Sequence, residues 1–136
     1  MESNYNQNYT REQIEEVLHK IKNCVANGHF TISLNEHRQE NVDFIHAYNI
    51  RHAKQIYIIQ QLRCEDFCYT LQNAHRGFEH EVLYVFAPQI NLHNADGYEE
   101  SVDMYIKFNL IARGNSDFTI VISFHRLNRP TRYLFR

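Results

Sequence analysis

Residues 102–126, VDMYIKFNLIARGNSDFTIVISFHR, read as two strands joined by a turn. Met104, Ile106, Phe108 and Leu110 alternate with Tyr105, Lys107, Asn109 and Ile111, the period-two pattern of a strand with one face in a core. The second strand repeats it, with Ile120, Ile122 and Phe124 as one set and Thr119, Val121, Ser123 and His125 as the other. Arg113-Gly114-Asn115-Ser116 between them carries turn chemistry. Apolar set must pair with apolar set, because a slip of one residue would bury the polar one. That register sets Ile106 opposite Phe124, Phe108 opposite Ile122 and Leu110 opposite Ile120, with Gly114-Asn115-Ser116 as a three-residue loop. It also sets Tyr105 across from His125 and Lys107 across from Ser123. Directly opposed Cβ atoms lie roughly 4.5 to 5.5 Å apart, so a phenol, an imidazole and an ammonium are expected on one polar face.

Upstream, Thr10 and Gln13 form a capping box ahead of an apolar stripe, Ile14, Val17, Leu18, Ile21 and Val25, which Asn27-Gly28 ends. Phe30, Ile32 and Leu34 suggest a short strand, followed by a polar turn at residues 35–39. Asn41 is a candidate cap for a second helix reaching Tyr48, and residues 53–62 read as a third helix. Residues 64–71 fit either a helical turn or an irregular strand. Residues 81–87 read as a strand stopped by Pro88, and residues 93–97 as an exposed loop leading into an acidic stretch from Asp96 to Asp103. Thr131 to Phe135 suggests a final edge strand. The order predicts an α+β domain over residues 10–136, helices packed on one face of a three- to five-stranded, mainly antiparallel sheet, behind a flexible tail at residues 1–9.

Composition narrows the class. With 136 residues, 43% of them hydrophobic and 22% charged, the chain has the makeup of one soluble globular domain. No apolar run approaches a membrane span and residues 1–10 lack a leader pattern, so a cytoplasmic protein without membrane attachment is expected. Three cysteines argue against a disulfide framework. From Met104 onward six basic residues, Lys107, Arg113, Arg126, Arg129, Arg132 and Arg136, stand against one acidic residue, Asp117, a net +5. Residues 1–103 carry eight basic against fifteen acidic residues, a net −7. Arginines of this kind suit phosphate contacts, or an internal match to the acidic half.

Three constellations are candidates for chemistry. The polar sheet face offers Tyr105, Lys107 and His125, with Arg126 beside them and Tyr84 or His80 from the neighbouring strand. Metal-free RNA cleavage by the 2′-hydroxyl needs a base, an acid and cations around the phosphorus, roles these types fill; tyrosines also stack on unpaired bases. The alternative is an ordinary exposed sheet face. Cys64, Cys68, His75 and His80 have zinc-ligand types, but only six residues separate Cys68 from His75, and buried cysteines are common. A cysteine nucleophile is weaker still, since none of Cys24, Cys64 or Cys68 sits in a glycine-flanked turn. Four glycines form no phosphate-cradling loop, so no nucleotide cofactor is expected.

Asp66-Phe67-Cys68-Tyr69 after the helices, His80-Glu81-Val82-Leu83-Tyr84, Val102-Asp103-Met104-Tyr105-Ile106-Lys107 and Val121-Ile122-Ser123-Phe124-His125 together resemble the MqsR branch of the RelE-like toxins. The resemblance runs from about Arg11 to His125, and the Tyr-x-Lys strand with the later Ser-Phe-basic ending is its most specific part. It implies a small α+β endoribonuclease, an mRNA interferase of a bacterial type II toxin–antitoxin pair, acting on RNA without metal and held inactive by a cognate antitoxin protein. The family's strand tyrosine matches Tyr105. Its lysine after Ser-Phe falls on His125, its lysine near Asp-Phe on Tyr69, and its glutamine before the first sheet strand near His80. The expected catalytic set is His125, Tyr105, His80 and Lys107, with Tyr69, Tyr84, Arg126, Arg129 and Arg132 on the RNA, and no metal or cofactor. A non-catalytic protein-binding inhibitor module, such as a phage-encoded or gyrase-directed one, and an RNA binder without turnover are the competing readings.

Overall fold

In the computed structural model, which describes residues 5–113 and 115–136, the capping box at Thr10 forms as its residue types require: the Thr10 hydroxyl accepts from Gln13 N–H, and the Gln13 side chain accepts from Thr10 N–H. Helix α1 (Arg11–Ala26) buries Ile14, Leu18, Ile21, Cys24 and Val25. Strand β1 (Phe30–Ile32) follows, then a 3-10 turn (Glu36–Arg38), α2 (Gln39–Ala47) and α3 (His52–Gln60). The remaining strands are β2 (Phe67–Gln72), β3 (Val82–Phe86), β4 (Gln89–His93), β5 (Glu99–Arg113) and β6 (Ser116–Arg126).

The fold is α+β, and the sheet has six strands where at most five were expected. Its order is β1-β6-β5-β3-β2, with β4 also paired to β5; β1 runs parallel to β6 and the other pairs are antiparallel. The additional strand is β4. Residues 99–103, expected in an acidic loop, pair with it from Gln89↔Asp103 to His93↔Glu99. Pro88 interrupts what would otherwise be one long strand from β3 into β4, because proline cannot donate to the ladder. The expected strand at residues 131–135 is absent; that segment wraps past the sheet instead, Leu134 N–H donating to Phe67 O.

All three helices contribute to one core with one face of the sheet, where Phe67, Phe86, Met104, Ile106, Phe108, Val121 and Phe124 are buried. The opposite face carries a small apolar cluster of Cys68, Val85 and Ala87 beneath Tyr69, Leu71, Tyr105 and Tyr133. The C-terminal segment covers part of it, the Tyr133 hydroxyl donating to Ala87 O at 2.8 Å. Of the expected flexible tail, residues 1–4 lie outside the described residues. Residues 5–9 are held along the edge of β2, with Asn6 and Thr70 exchanging two backbone hydrogen bonds of 2.9 Å.

Hairpin register departs from expectation at one point. Tyr105↔His125, Ile106↔Phe124 and Lys107↔Ser123 pair as anticipated, but the ladder then shifts to Phe108↔Val121 and Leu110↔Thr119. Ile122 is the extra residue of a β-bulge. Ser116 therefore pairs with Arg113 and belongs to the strand instead of a three-residue loop; Gly114 lies outside the described residues. Asn41 explains the bulge. It is not the cap of α2, whose N-cap position is Arg38; its buried amide accepts from Phe124 N–H (2.8 Å) and donates to Ile122 O and Ser33 O (2.9 Å each). These backbone groups lie where β1 ends and stops pairing with β6, so they need another partner.

No helix is long and apolar enough to cross a membrane. Two stability outcomes follow from the bulge. Asn41→Ala leaves buried backbone groups unpaired and is expected to cost about 3 kcal/mol in denaturant unfolding; a loss below about 1 kcal/mol would show that the strands hold the bulge alone. Thr119, carried by the bulge to the helix side, is 0% exposed with no hydrogen-bond partner for its hydroxyl. Thr119→Val is therefore expected to raise stability by about 1 kcal/mol, and a destabilised variant would contradict the unpaired hydroxyl.

Candidate functional site

The hairpin register and a bulge in β2 bring the candidate side chains together. Below Ile122, β6 presents His125 and Ser123 on the face away from the helices, across from Tyr105 and Lys107. In β2 the register shifts between Phe67, opposite Phe86, and Tyr69, opposite Val85, leaving Cys68 as the extra residue. Strict alternation would send Phe67 and Tyr69 to one face. With the bulge, Phe67 enters the main core and Tyr69 joins Tyr105.

Tyr105 and His125 stack, ring centroids 5.6 Å apart and planes 17° from parallel. His125 Nδ1 lies 2.9 Å from the carbonyl oxygen of Arg126. A carbonyl only accepts, so in the neutral ring the proton sits on Nδ1 and Nε2 keeps the free lone pair. Glu40 Oε2 is 4.0 Å from the same nitrogen and is itself held by the Asn128 amide at 2.9 Å. The His125 side chain is 14% exposed and opens into a pocket of about 170 Å³ that Ser123, His37, Arg38 and Glu40 also line.

Burial, and then the neighbouring Tyr69, pushes the Tyr105 phenol far above its ordinary range, so it remains a proton donor at neutral pH. Burial also raises Tyr69, while the neighbouring Tyr105 hydroxyl works the other way. Lys107 is shifted down, by burial first and by the Arg38 guanidinium second. On the far side of Tyr105 a larger cleft of about 760 Å³ is lined by Tyr5, Tyr69, Arg129 and Arg132 among others.

Three expected members lie elsewhere. Tyr84 pairs with Phe108 and packs in the helix-side core, 6.5 Å from the Tyr9 ring, because alternation along β3 sends Val85 to the open face instead. Arg126 pairs with Met104 and also points to the helix side, where it donates to the Tyr48 hydroxyl and lies 3.9 Å from Glu100. His80 is exposed in the turn before β3. By strand rise that is roughly 20 Å along the sheet from Tyr105. His80 is also apart from Cys64 and Cys68: the two cysteines are buried in different clusters, His75 is exposed, and no three His, Cys, Asp or Glu side chains gather to hold a metal among the described residues. Burial lifts the Cys68 thiol to about 11, which disfavours a thiolate nucleophile.

Arg38, His37, Glu40, Tyr5 and Gln7 are members that sequence reading missed. They come from a polar turn, the first turn of α2 and a terminal segment without periodicity; only the charged run Glu36-His37-Arg38 hinted at them.

The depressed Lys107 ammonium has a stability signature. Its pKa is lower folded than unfolded, so between the two values the unfolded chain binds more protons and stability rises with pH. Below the folded value the buried charge costs stability in full. The stability of the parent relative to Lys107→Met should therefore improve as pH climbs toward 10.5, the ordinary lysine value; chemical denaturation at several alkaline pH values checks this, and a flat difference would contradict the burial of the amine. Comparison with protein-family models, with curated proteins and with solved structures finds no match for this chain.

Proposed function

We propose that the chain is a metal-independent endoribonuclease of the RelE-like, MqsR type, the toxin of a toxin–antitoxin pair, acting in the cytoplasm on single-stranded RNA and restrained by an antitoxin protein. The observation that carries this reading is the Tyr105–His125 stack, with His125 Nδ1 tied to a carbonyl and its other nitrogen free for a proton. The layout supports it too: helices first, then a mainly antiparallel sheet whose open face bears the stack.

In this reading His125 Nε2 takes the proton of the 2′-hydroxyl as the 2′-oxygen bonds to phosphorus, and the P–O5′ bond breaks as the leaving oxygen gains a proton. His37, lining the same pocket as His125, replaces the remote His80 as candidate for that second transfer. Tyr105, kept protonated by burial, donates to a phosphoryl oxygen and does not serve as the base. Lys107 and Arg38 offset charge on the phosphorane, and Arg129 and Arg132 hold the neighbouring RNA backbone. Arg126 and Tyr84 have no part, since both point to the helix side.

A second reading, an RNA binder without turnover, is favoured by the small exposure of His125, 14%. One experiment separates them. Single-stranded RNA incubated with pure protein in EDTA is expected to yield 2′,3′-cyclic phosphate ends, and His125→Ala to lose about 10²- to 10⁴-fold in rate while remaining folded. Binding without such products would establish the second reading, and unchanged cleavage in the variant would remove His125 from the mechanism.

A further inference from the structure

Strand β2 is the last strand of its side of the sheet, and an edge strand leaves backbone groups open to pairing. Residues 5–9 occupy that edge. Besides the Asn6–Thr70 exchange, Gln7 Nε2 donates to Cys68 O at 2.8 Å, and the Tyr9 and Thr70 hydroxyls are hydrogen-bonded at 2.9 Å. The bulge at Cys68 leaves its carbonyl outside the regular ladder, and the Gln7 amide provides it a partner.

This anchoring carries Tyr5 to the mouth of the larger cleft. Its ring centroid is 4.6 Å from that of Tyr69, with the planes at 67°, and 43% of the residue is exposed. Tyr69 in turn shares the open-face cluster and the cleft wall with Tyr105, which stacks on His125. Four rings thus cross the open face in a row, ending at the group able to move a proton. The opposite wall comes from residues after β6, including Pro130, Arg129 and Arg132, and among the described residues no carboxylate lines the cleft.

We infer that this cleft is a subsite for one unpaired nucleobase of RNA, held against Tyr5 and Tyr69, with Arg129 and Arg132 gripping the adjoining phosphate. The inference rests on the RNA reading above. A nucleobase combines a flat face, which aromatic rings accept whatever the base, with a tethered anion, which arginines accept. A duplex does not fit this description, because its bases are already stacked on one another. Tyr105 belongs to both the cleft and the stack, so the base held here belongs to a nucleotide next to the bond to be cut. The N-terminal segment is then part of the substrate site as well as an edge cover.

The test uses the full chain and 2′-O-methyl RNA, which lacks the attacking hydroxyl, so binding is read apart from turnover. Fluorescence anisotropy compares an intact single strand with a set carrying one abasic position each. For the parent protein, one abasic position is expected to weaken binding about five- to hundredfold, the range of one base–aromatic stack. Tyr5→Ala should bind the intact strand as weakly as the parent binds that abasic strand, with no further loss on combining the two, while Tyr5→Phe should bind like the parent. An abasic penalty undiminished in Tyr5→Ala, no penalty at any position in the parent, or a Tyr5→Phe variant as weak as Tyr5→Ala would each overturn the subsite. Failure of RNA cleavage alone would leave the binding result standing, so the two readings fail separately.

Discussion

The Asn41 amide is the contact on which the open face depends. It meets three backbone groups at the point where β6 loses β1 as a neighbour: Phe124 N–H, Ile122 O and Ser33 O. Those groups would otherwise be buried without partners, at a cost comparable to lost hydrogen bonds. By holding the bulge at Ile122, Asn41 lets one strand send both Phe124 and Val121 into the helix-side core while His125 and Ser123 stay on the other face. The bulge is over-represented in such roles because it re-aims side chains without ending the strand. Here a side chain from α2, distant in sequence, holds the point at which β6 changes which of its residues face the core.

The two ends of the described chain complete the site. Residues 5–9 seal the β2 edge and bring Tyr5 and Gln7, while the segment after β6 brings Arg129 and Arg132. The internal match foreseen for the basic C-terminal half occurs for part of it. Arg126 and Arg136 match the acidic half, at Glu100 and Asp66. Arg129 and Arg132 instead line the cleft. Their difference is geometric: Arg126 sits at a β6 position aimed at the helices, and Arg136 at the end of the wrap beside a buried carboxylate.

Burial sets the chemistry of the open face more than charge does. It is the leading cause of the upward shifts at Tyr105, Tyr69 and Cys68 and of the downward shift at Lys107. Desolvation disfavours charged forms, so the phenols stay donors, the thiol stays protonated and the ammonium is held at a cost. The imidazole is oriented by a neighbouring carbonyl instead, which leaves its other nitrogen with the lone pair in the neutral ring.

How much of this was legible beforehand depended on range. The capping box at Thr10, the stripe of α1, the strand at residues 82–86 and the Tyr105–His125 pairing were all readable, because helix caps and strand alternation act over a few residues. The same alternation misplaced Ile122 and Thr119, and it assigned Tyr84 to the open face without knowing which way β3 turns. Strand β4 was hidden by an acidic, turn-rich context, and Glu40 and Tyr5 carried no local signal. Local patterning determined the elements and the pairing nearest the hairpin's open end. Only the tertiary structure decided the bulges, the six-stranded order and the membership of the clefts, because each arises where backbone groups left unpaired by one element are satisfied by another far along the chain.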